Sequence, residues 1–399
     1  MGRKVVLLWL VLLAALAPAA EAASPAATKR VLAQAMKRAG AGSGAYVVDL
    51  GTGQALYAKR PDVPRVPASV EKLYTSATAL IRYGPQGALT TTVLAPVQPD
   101  DAGVLAGNLY LRGGGDPSFS ATAAGQLADA LIASTGLAEV DGRVIGDETV
   151  FDGLRGPPSS GFGLSGDVGP LSALTFNHGY DGRRFQANPP LYAAKAFTRA
   201  LRSRGVIVTG AARTGASPAG ALALSAWNSP GIEQLIAAMN VPSDNFYAET
   251  LIKALGASFG GLGSTSAGAS VIRSTIAGLG IRTTVVDGSG LSRADRTSPR
   301  AVVSLLTAMN ANEQVGLPFY LSLPTAGRTG TLARRMRGTP ARDACHAKTG
   351  TLSNVSALAG YCDTTVGSRV AFAFLMNGVR PDAARRLQDQ MATALARLG

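Results

Sequence analysis

The feature that most constrains the fold of this chain is a set of three short motifs that stand far apart and in a fixed order. They are residues 69–72 (Ser-Val-Glu-Lys), 243–245 (Ser-Asp-Asn) and 348–351 (Lys-Thr-Gly-Thr). Each motif alone has an ordinary explanation, a helix N-cap for the first two and an exposed strand end for the third. The ordered set is far more specific than its parts. It predicts one cleft toward which all three segments project.

The first motif pairs a hydroxyl with an amine. A helix is predicted to begin near Ser69 and to run to about Ile81, which puts Lys72 on the same face one turn later. A serine hydroxyl is a weak nucleophile until a neighbouring base takes its proton. Lysine can be that base where burial and a second cation favour its neutral form.

The second motif precedes a helix predicted over 246–256. The hydroxyl of Ser243 and the carboxamide of Asn245 would then project from a loop toward the cleft. By itself this motif is better explained as an N-cap for that helix.

The third motif lies at the end of a strand predicted to start near residue 345. Lys348 would supply a fixed positive charge, and Gly350 would let a ligand backbone approach closely. The hydroxyls of Thr349 and Thr351 can bind a carboxylate.

Composition excludes several classes of protein. Apolar residues make up 46% of the chain and charged residues 16%, which excludes intrinsic disorder. Two cysteines exclude a Cys-based zinc site, and two histidines, His178 and His346, argue against a histidine-rich metal centre. We therefore expect no metal and no cofactor.

The N-terminus predicts export. Arg3 and Lys4 precede an apolar run over 5–17, and residues 20–22 (Ala-Glu-Ala) fit a cleavage site, so residues 1–22 are expected to be a signal peptide. The alternative is an uncleaved anchor. After cleavage we expect a periplasmic, extracellular or cell-wall-associated protein without a transmembrane segment.

The net charge of +13 suggests peripheral association with anionic envelope polymers or lipid headgroups rather than nucleic acid. The alternative is that the charge reflects a genomic bias toward arginine and only keeps the protein in solution.

The pattern of predicted helices and strands changes twice along the sequence. Helices alternate with strands up to residue 89, short strand candidates between Gly/Pro turns dominate 90–226, and helices followed by alternating strands dominate 227–399. We expect 23–89 and 227–399 to form one split domain of α/β (α+β) class, an antiparallel sheet flanked by helices. Residues 90–226 are expected to form an inserted domain of mainly mixed strands.

Five longer strings around the motifs resemble the class C penicillin-binding proteins, the D-alanyl-D-alanine carboxypeptidase/endopeptidases of the penicillin-binding protein 4 type. The resemblance covers nearly the whole mature chain and implies a serine β-lactamase/transpeptidase-like fold. The chain is shorter than the longest members of the family, so a third nested domain is expected to be reduced or absent. The strings are 67–73 (PASVEKL), 114–117 (GGDP), 243–249 (SDNFYAE), 287–293 (DGSGLSR) and 348–352 (KTGTL).

The resemblance assigns roles to the first two motifs. Ser69 would be the acylated nucleophile and Lys72 its general base. Ser243 would relay a proton between Lys72 and the leaving amine. Asn245 would bind the substrate amide and hold Lys72.

It assigns substrate recognition to the third motif. Lys348 would keep the site positive, depress the pKa of Lys72 and attract the carboxylate of a peptide ending in D-Ala-D-Ala, which Thr349 and Thr351 would bind. The backbone N–H groups of Ser69 and Thr351 would form the oxyanion hole. β-Lactam antibiotics would acylate the same serine. The string over 287–293 has no chemical role that the residues disclose.

Two alternatives stay open. A serine β-lactamase needs a positioned base for rapid hydrolysis of the acyl-enzyme, and its usual Glu-x-x-x-Asn pattern has no convincing match here. A catalytically silent penicillin- or peptidoglycan-binding sensor would not need all three motifs intact. The balance between carboxypeptidase and endopeptidase activity is not fixed by the sequence.

The two cysteines are predicted to form a disulfide. Cys345 begins the strand that carries Lys348, and Cys362 ends the next predicted strand, with a turn at residues 353–354. An antiparallel hairpin centred on that turn would place the two cysteines opposite each other, within reach of a disulfide. The alternative is two free thiols separated by a slip of the register.

Overall fold

The computed structural model describes residues 22–399, so the predicted signal peptide lies outside the described residues except for Ala22. In this range no helix combines the length and the apolar character needed to cross a membrane. The helices are α1 (Pro25–Arg38), α2 (Lys72–Tyr83), α3 (Ala121–Thr135), α4 (Pro189–Arg202), α5 (Ile232–Asn240), α6 (Asn245–Phe259), α7 (Thr265–Ala277), α8 (Pro299–Ala311), α9 (Gly316–Leu321) and α10 (Pro381–Ala396).

The strands are short at the centre of the chain and long at its end. They are β1 (Ser43–Asp49), β2 (Ala55–Lys59), β3 (Thr90–Ala95), β4 (Val104–Ala106), β5 (Leu109–Arg112), β6 (Glu139–Asp141), β7 (Val144–Asp147), β8 (Ile207–Val208), β9 (Arg213–Thr214), β10 (Leu222–Asn228), β11 (Cys345–Leu352), β12 (Val355–Asp363) and β13 (Arg369–Asn377).

One antiparallel sheet joins the two ends of the chain in the order β11-β12-β13-β1-β2. Successive side chains of a strand point to opposite faces. Along β12, Ala359 and Tyr361 therefore enter the core formed with α2, α6 and α8, whereas Leu358 and Cys362 enter the core formed with α1 and α10. Both faces are covered, which confirms the predicted sheet flanked by helices.

The apolar stripe of α10 packs on the sheet. Met391 and Leu395 are fully buried and lie in the same core as Phe372 and Phe374 of β13.

The strands of the central segment do not enter that sheet. One sheet has the order β10-β3-β5-β7-β9, and a second has the order β4-β6-β8 with parallel neighbours. Tyr110 and Leu111 lie on β5, so they belong to a different sheet from Lys348. Strand β10 continues to Asn228, two residues past the expected boundary at 226. The domain bounds stay a prediction.

The central segment also packs against the helices of the split domain. Phe151 pairs with Gly263 in an isolated β-bridge, and the ammonium of Lys253 lies 2.6 Å from a carboxylate oxygen of Asp152. Val168 and Leu171 belong to the same core as α2 and α6. Residues 148–174 therefore form a contact between the central segment and the helical layer, which the sequence did not reveal.

The string over 114–117 has a structural setting in the central segment. One carboxylate oxygen of the buried Asp116 accepts hydrogen bonds from the backbone N–H and the hydroxyl of Ser118. The other accepts one from the indole of Trp227, 3.3 Å away on β10. This carboxylate fixes the turn after β5 to the neighbouring part of the sheet.

The hairpin β11–β12 pairs Cys345 with Cys362, and a disulfide joins them with a Cα–Cα distance of 4.1 Å. The turn lies at residues 353–354, where Asn354 has a φ of 56°. Asparagine tolerates this left-handed conformation better than most residues.

We predict that removing this disulfide lowers stability without preventing folding. The bridge closes a loop with a sequence separation of 17, which corresponds to about 3 kcal/mol in the chain-entropy estimate. The double variant Cys345→Ala/Cys362→Ala should melt at a lower temperature than the oxidised protein and at a similar temperature to the protein in reductant. Two alkylatable thiols in the exported protein, without reductant, would contradict the prediction.

Candidate active site

Ser69 lies on a 3-10 turn, Ala68–Glu71, that runs directly into α2. The predicted α-helix therefore begins three residues later than expected. The hydroxyl of Ser69 accepts a hydrogen bond from the ammonium of Lys72 at 3.0 Å. Since Ala68 has a φ of 48°, the chain turns sharply immediately before the serine.

The side chain of Lys72 is completely buried, and three parts of the chain supply acceptors for its ammonium. They are the hydroxyl of Ser69, the carboxamide oxygen of Asn245 at 2.7 Å and the backbone carbonyl of Ser289 at 2.8 Å. Burial lowers the pKa of Lys72 to about 8, although the nearby carboxylate of Asp287 opposes the shift. An amine with this pKa is partly neutral at physiological pH.

The second motif both caps a helix and contributes side chains to the site. Asp244 is the N-cap of α6, because its carboxylate accepts the backbone N–H of Tyr247 at 3.0 Å. Asn245 then reaches Lys72. Ser243 has a φ of 66°, and its hydroxyl accepts a hydrogen bond from Lys348 at 2.8 Å. The hydrogen bond of Ser243 thus links it to Lys348 rather than to Lys72.

Lys348 is buried as completely as Lys72. Its ammonium donates to the hydroxyl of Ser243 and to the backbone carbonyl of Thr349 at 3.0 Å. Burial and the charge of Lys72 hold the pKa of Lys348 well below its usual range. The two buried lysines therefore compete for protons in the ligand-free site.

The remaining residues of the third motif line the mouth of the site. Thr349 donates a hydrogen bond from its hydroxyl to that of Thr331 at 2.7 Å, and Thr351 accepts one from Arg385 at 3.3 Å. A Cβ atom on Gly350 would lie 2.6 Å from the carbonyl oxygen of Pro67. The turn that carries Ser69 thus makes a close approach at Gly350, and the approach of a ligand backbone there stays a prediction.

The string over 287–293 forms the floor beneath Lys72, and its contribution was not foreseen. The carboxylate of Asp287 accepts backbone N–H groups from Gly290 and Ser292 at 2.7 and 2.6 Å. A carboxylate oxygen of Glu249 accepts those of Gly288 and Ser289 at 3.1 and 2.9 Å. These bonds fix the backbone that presents the Ser289 carbonyl to Lys72.

Four buried carboxyl groups lie behind Lys72: Glu71, Glu249, Asp287 and Asp295. Burial raises the pKa of Glu249 to about 8 and, with the charges of Glu71 and Asp287, that of Asp295 to about 11. Burial also raises the pKa of Glu71, whose two carboxyl oxygens receive no hydrogen bond. Part of this cluster is therefore protonated at neutral pH, and no arrangement typical of a metal site occurs among residues 22–399.

The central segment contributes one contact to the site. The carboxamide nitrogen of Asn245 donates to the backbone carbonyl of Asp167 at 3.0 Å. A backbone carbonyl has no residue signature, so nothing in the sequence marked Asp167 as part of the site.

The arrangement of serine, two lysines and a carboxamide agrees with the family comparison. The sequence profile of the D-Ala-D-Ala carboxypeptidase 3 (S13) family matches residues 26–180 and 177–398, and the chain belongs to this family. The predicted resemblance is therefore confirmed. The D-alanyl-D-alanine carboxypeptidase of Actinomadura sp. is 31% identical over 445 aligned positions, covering 90% of this chain and 81% of that protein.

Solved structures confirm the predicted fold class. Penicillin-binding protein 4 from Haemophilus influenzae superposes with a TM-score of 0.77 at 21% identity, covering 90% of this chain and 97% of that one. A predatory peptidoglycan endopeptidase from Bdellovibrio bacteriovorus gives a TM-score of 0.55 at 17% identity, covering 84% and 85%.

We predict opposite effects of amide substitution at two carboxyls of the cluster. Asp295 receives no hydrogen bond at Oδ2, and a proton there makes it a donor to Asp287. The folded state thus keeps a proton on Asp295 that the unfolded state releases above about pH 4. The free energy of unfolding therefore falls as the pH rises above that value. Asp295→Asn keeps a donor in place and should be at least as stable as the parent, with the advantage growing from pH 5 to pH 8.

Asp287→Asn is the matched control. Both oxygens of Asp287 accept backbone N–H groups, so the NH₂ group of an asparagine would face a backbone N–H group and leave both donors without an acceptor. This variant should melt at a lower temperature at both pH values. Thermal unfolding checks both, and equal destabilisation by the two substitutions would show that Asp295 is ionised in the folded protein.

Proposed function

We propose that this chain is a serine D-alanyl-D-alanine carboxypeptidase that acts on peptidoglycan stem peptides through an acyl-enzyme on Ser69. The observation that carries the proposal is the hydrogen bond between Ser69 and a buried lysine whose pKa is lowered to about 8. Membership of the S13 family and the likeness to the D-alanyl-D-alanine carboxypeptidase of Actinomadura support the same reaction. No metal or cofactor takes part in the steps that follow.

Acylation begins with neutral Lys72. Its amine takes the proton of Ser69 as Oγ attacks the carbonyl carbon of the penultimate D-Ala. The N–H groups of Ser69 and Thr351 would stabilise the oxyanion that forms. Gly350 supports this assignment, because its close packing on the turn before Ser69 brings the two segments together.

The leaving amine takes its proton from Ser243. The hydroxyl of Ser243 is bonded to the ammonium of Lys348, which restores the proton that Ser243 gives up. After acylation Lys72 is charged and Lys348 is neutral. This route replaces the direct relay from Lys72 that the family resemblance suggested.

Deacylation reverses the route with water in place of the leaving amine. Water attacks the ester carbon and gives its proton through Ser243 to Lys348, while Lys72 returns a proton to Oγ of Ser69. The cycle ends with both lysines in their starting states. In a penicilloyl-enzyme the leaving amine stays tethered to the acyl group and occupies the position that water needs, so deacylation is slow.

Binding of the substrate carboxylate prepares the base. A carboxylate held by Thr349 and Thr351 near Lys348 favours the ammonium form of Lys348. The charge on Lys348 then disfavours a second charge on Lys72. Substrate binding therefore shifts the shared proton toward Lys348 and leaves Lys72 neutral.

The reaction takes place outside the cytoplasm, at the periplasmic or extracellular face of the envelope. The residues predicted to form a signal peptide and the net charge of +13 support export and contact with an anionic envelope. Cross-link cleavage is proposed as a second activity of the same site, supported by the endopeptidase among the structural neighbours.

We predict that benzylpenicillin adds one penicilloyl group to the tryptic peptide that contains Ser69. Ser69→Ala should abolish both this label and the release of D-Ala from a pentapeptide. Mass spectrometry and a D-Ala assay check the two results. Rapid turnover of nitrocefin would instead indicate a β-lactamase, and folded protein with neither activity would indicate a sensor.

We predict that substituting arginine for Lys72 and for Lys348 changes the acylation rate to different extents. The rate constant for acylation by penicillin should rise with pH through about 8, the pH at which half of Lys72 is neutral. Lys72→Arg should abolish acylation, because a guanidinium keeps its proton and cannot be the base. Lys348→Arg keeps the charge that attracts the carboxylate but returns no proton to Ser243, so water in the cleft must supply that proton and the rate should fall by less. Stopped-flow measurement between pH 6 and 9 tests this, and equal losses in the two variants would contradict the assignment.

A further inference from the structure

The cleft continues beyond the hydroxyls that are proposed to hold the substrate carboxylate. A cavity of about 460 Å³ extends from Ser69 and Ser243, past Thr349 and Thr351, to Arg385 of α10. The guanidinium of Arg385 lies 3.3 Å from the hydroxyl of Thr351 and lines the same cavity as Ser69. A cation therefore lies next to the hydroxyls that are proposed to hold the substrate carboxylate.

The second arginine of this cavity, Arg335, is already neutralised. Its guanidinium donates to the carboxylate of Asp389 at 2.7 and 2.9 Å and to the side chain of Gln388 at 3.2 Å. It also donates to the backbone carbonyl of Arg385 at 3.4 Å. Arg335 thus braces the turn of α10 that carries Arg385.

The charge of Arg385 is compensated much less. Its carboxylate partner is Asp382, 3.2 Å away on the same helix, and the side chain of Asp382 is 84% exposed. An exposed pair of this kind contributes little energy and is readily exchanged for another anion. Arg385 can therefore bind an anionic group in the cavity at small cost, with a fork geometry that suits a carboxylate.

The chemistry of the leaving group decides what that anion is. A released D-Ala carries one carboxylate, which Thr349, Thr351 and Lys348 would already hold. In a cross-link the leaving amine belongs to a diamino acid of a second peptide strand, which carries further carboxylates beyond the one beside the scissile amide. Only the second substrate offers a further anion to Arg385.

We propose that the cavity between Thr351 and Arg385 is a subsite for the leaving strand of a peptide cross-link, and that Arg385 binds a distal carboxylate of that strand. The proposal rests on the acyl-enzyme reaction at Ser69 proposed above. It assigns the endopeptidase activity its own specificity-determining residue on α10, separate from the groups shared by both reactions.

The test uses the full protein and two synthetic peptide dimers that are cross-linked through D-Ala and a diamino acid. Both dimers keep the carboxylate beside the scissile amide; one also keeps the distal carboxylates of the leaving strand, and the other has them amidated. The parent protein should cleave the carboxylate form at least tenfold more efficiently in kcat/KM. Arg385→Gln should reduce this preference to less than twofold, whereas Arg386→Gln, a neighbouring exposed arginine on α10, should retain it.

Release of D-Ala from a monomeric pentapeptide distinguishes a failure of the proposed function from a failure of the proposed subsite. Failure of the parent protein to release D-Ala or to be acylated at Ser69 would overturn the proposed function itself. Intact D-Ala release without a preference between the dimers, or a preference that survives Arg385→Gln, would overturn the subsite alone. Equal fractional loss of D-Ala release and dimer cleavage in Arg385→Gln would show that Arg385 binds the carboxylate common to both substrates, which also overturns it.

Discussion

The burial of the Lys72 ammonium is the constraint on which the rest of the structure depends. A buried charge without partners costs several kcal/mol, so its acceptors must be in place whenever the protein is folded. Those acceptors come from its own turn, from the start of α6 and from a loop more than 200 residues away. Satisfying one ammonium therefore fixes the relative positions of three segments that the chain itself keeps far apart.

The carboxyl cluster keeps this ammonium from losing its proton altogether. Burial alone favours the neutral amine, while Asp287 and Glu249 favour the charged one, and the balance leaves the pKa of Lys72 at about 8. Neither carboxyl group is hydrogen-bonded to the amine; their oxygens accept backbone N–H groups of the loop over 287–293. The same interactions thus shape the floor of the site and set its proton affinity.

The sequence predicted best those features that depend on neighbouring residues, such as a helix start or the register of a hairpin. The helix predicted over 246–256 is α6, whose start is capped by Asp244, and the even spacing of Cys345 and Cys362 about a turn gave the register of the β11–β12 hairpin. The sequence did not reveal the two sheets of the central segment. Strands as short as β8 and β9 span too few residues to show the alternation of apolar and polar side chains that marks a strand.

The site residues that sequence reasoning missed act through backbone atoms or distant contacts. The carbonyls of Ser289 and Asp167 would be present whatever the residue, so only the fold gives them a role. Arg385 is one of many arginines in a basic chain and is distinguished only by the cavity it faces. The carbonyl of Asp167 has a further consequence for Asn245, whose oxygen must face the donor-only ammonium of Lys72. Its amide nitrogen carries two protons: one is donated to Asp167, and the other stays available for the proposed hydrogen bond to the substrate amide. The contact with the central segment therefore orients this carboxamide.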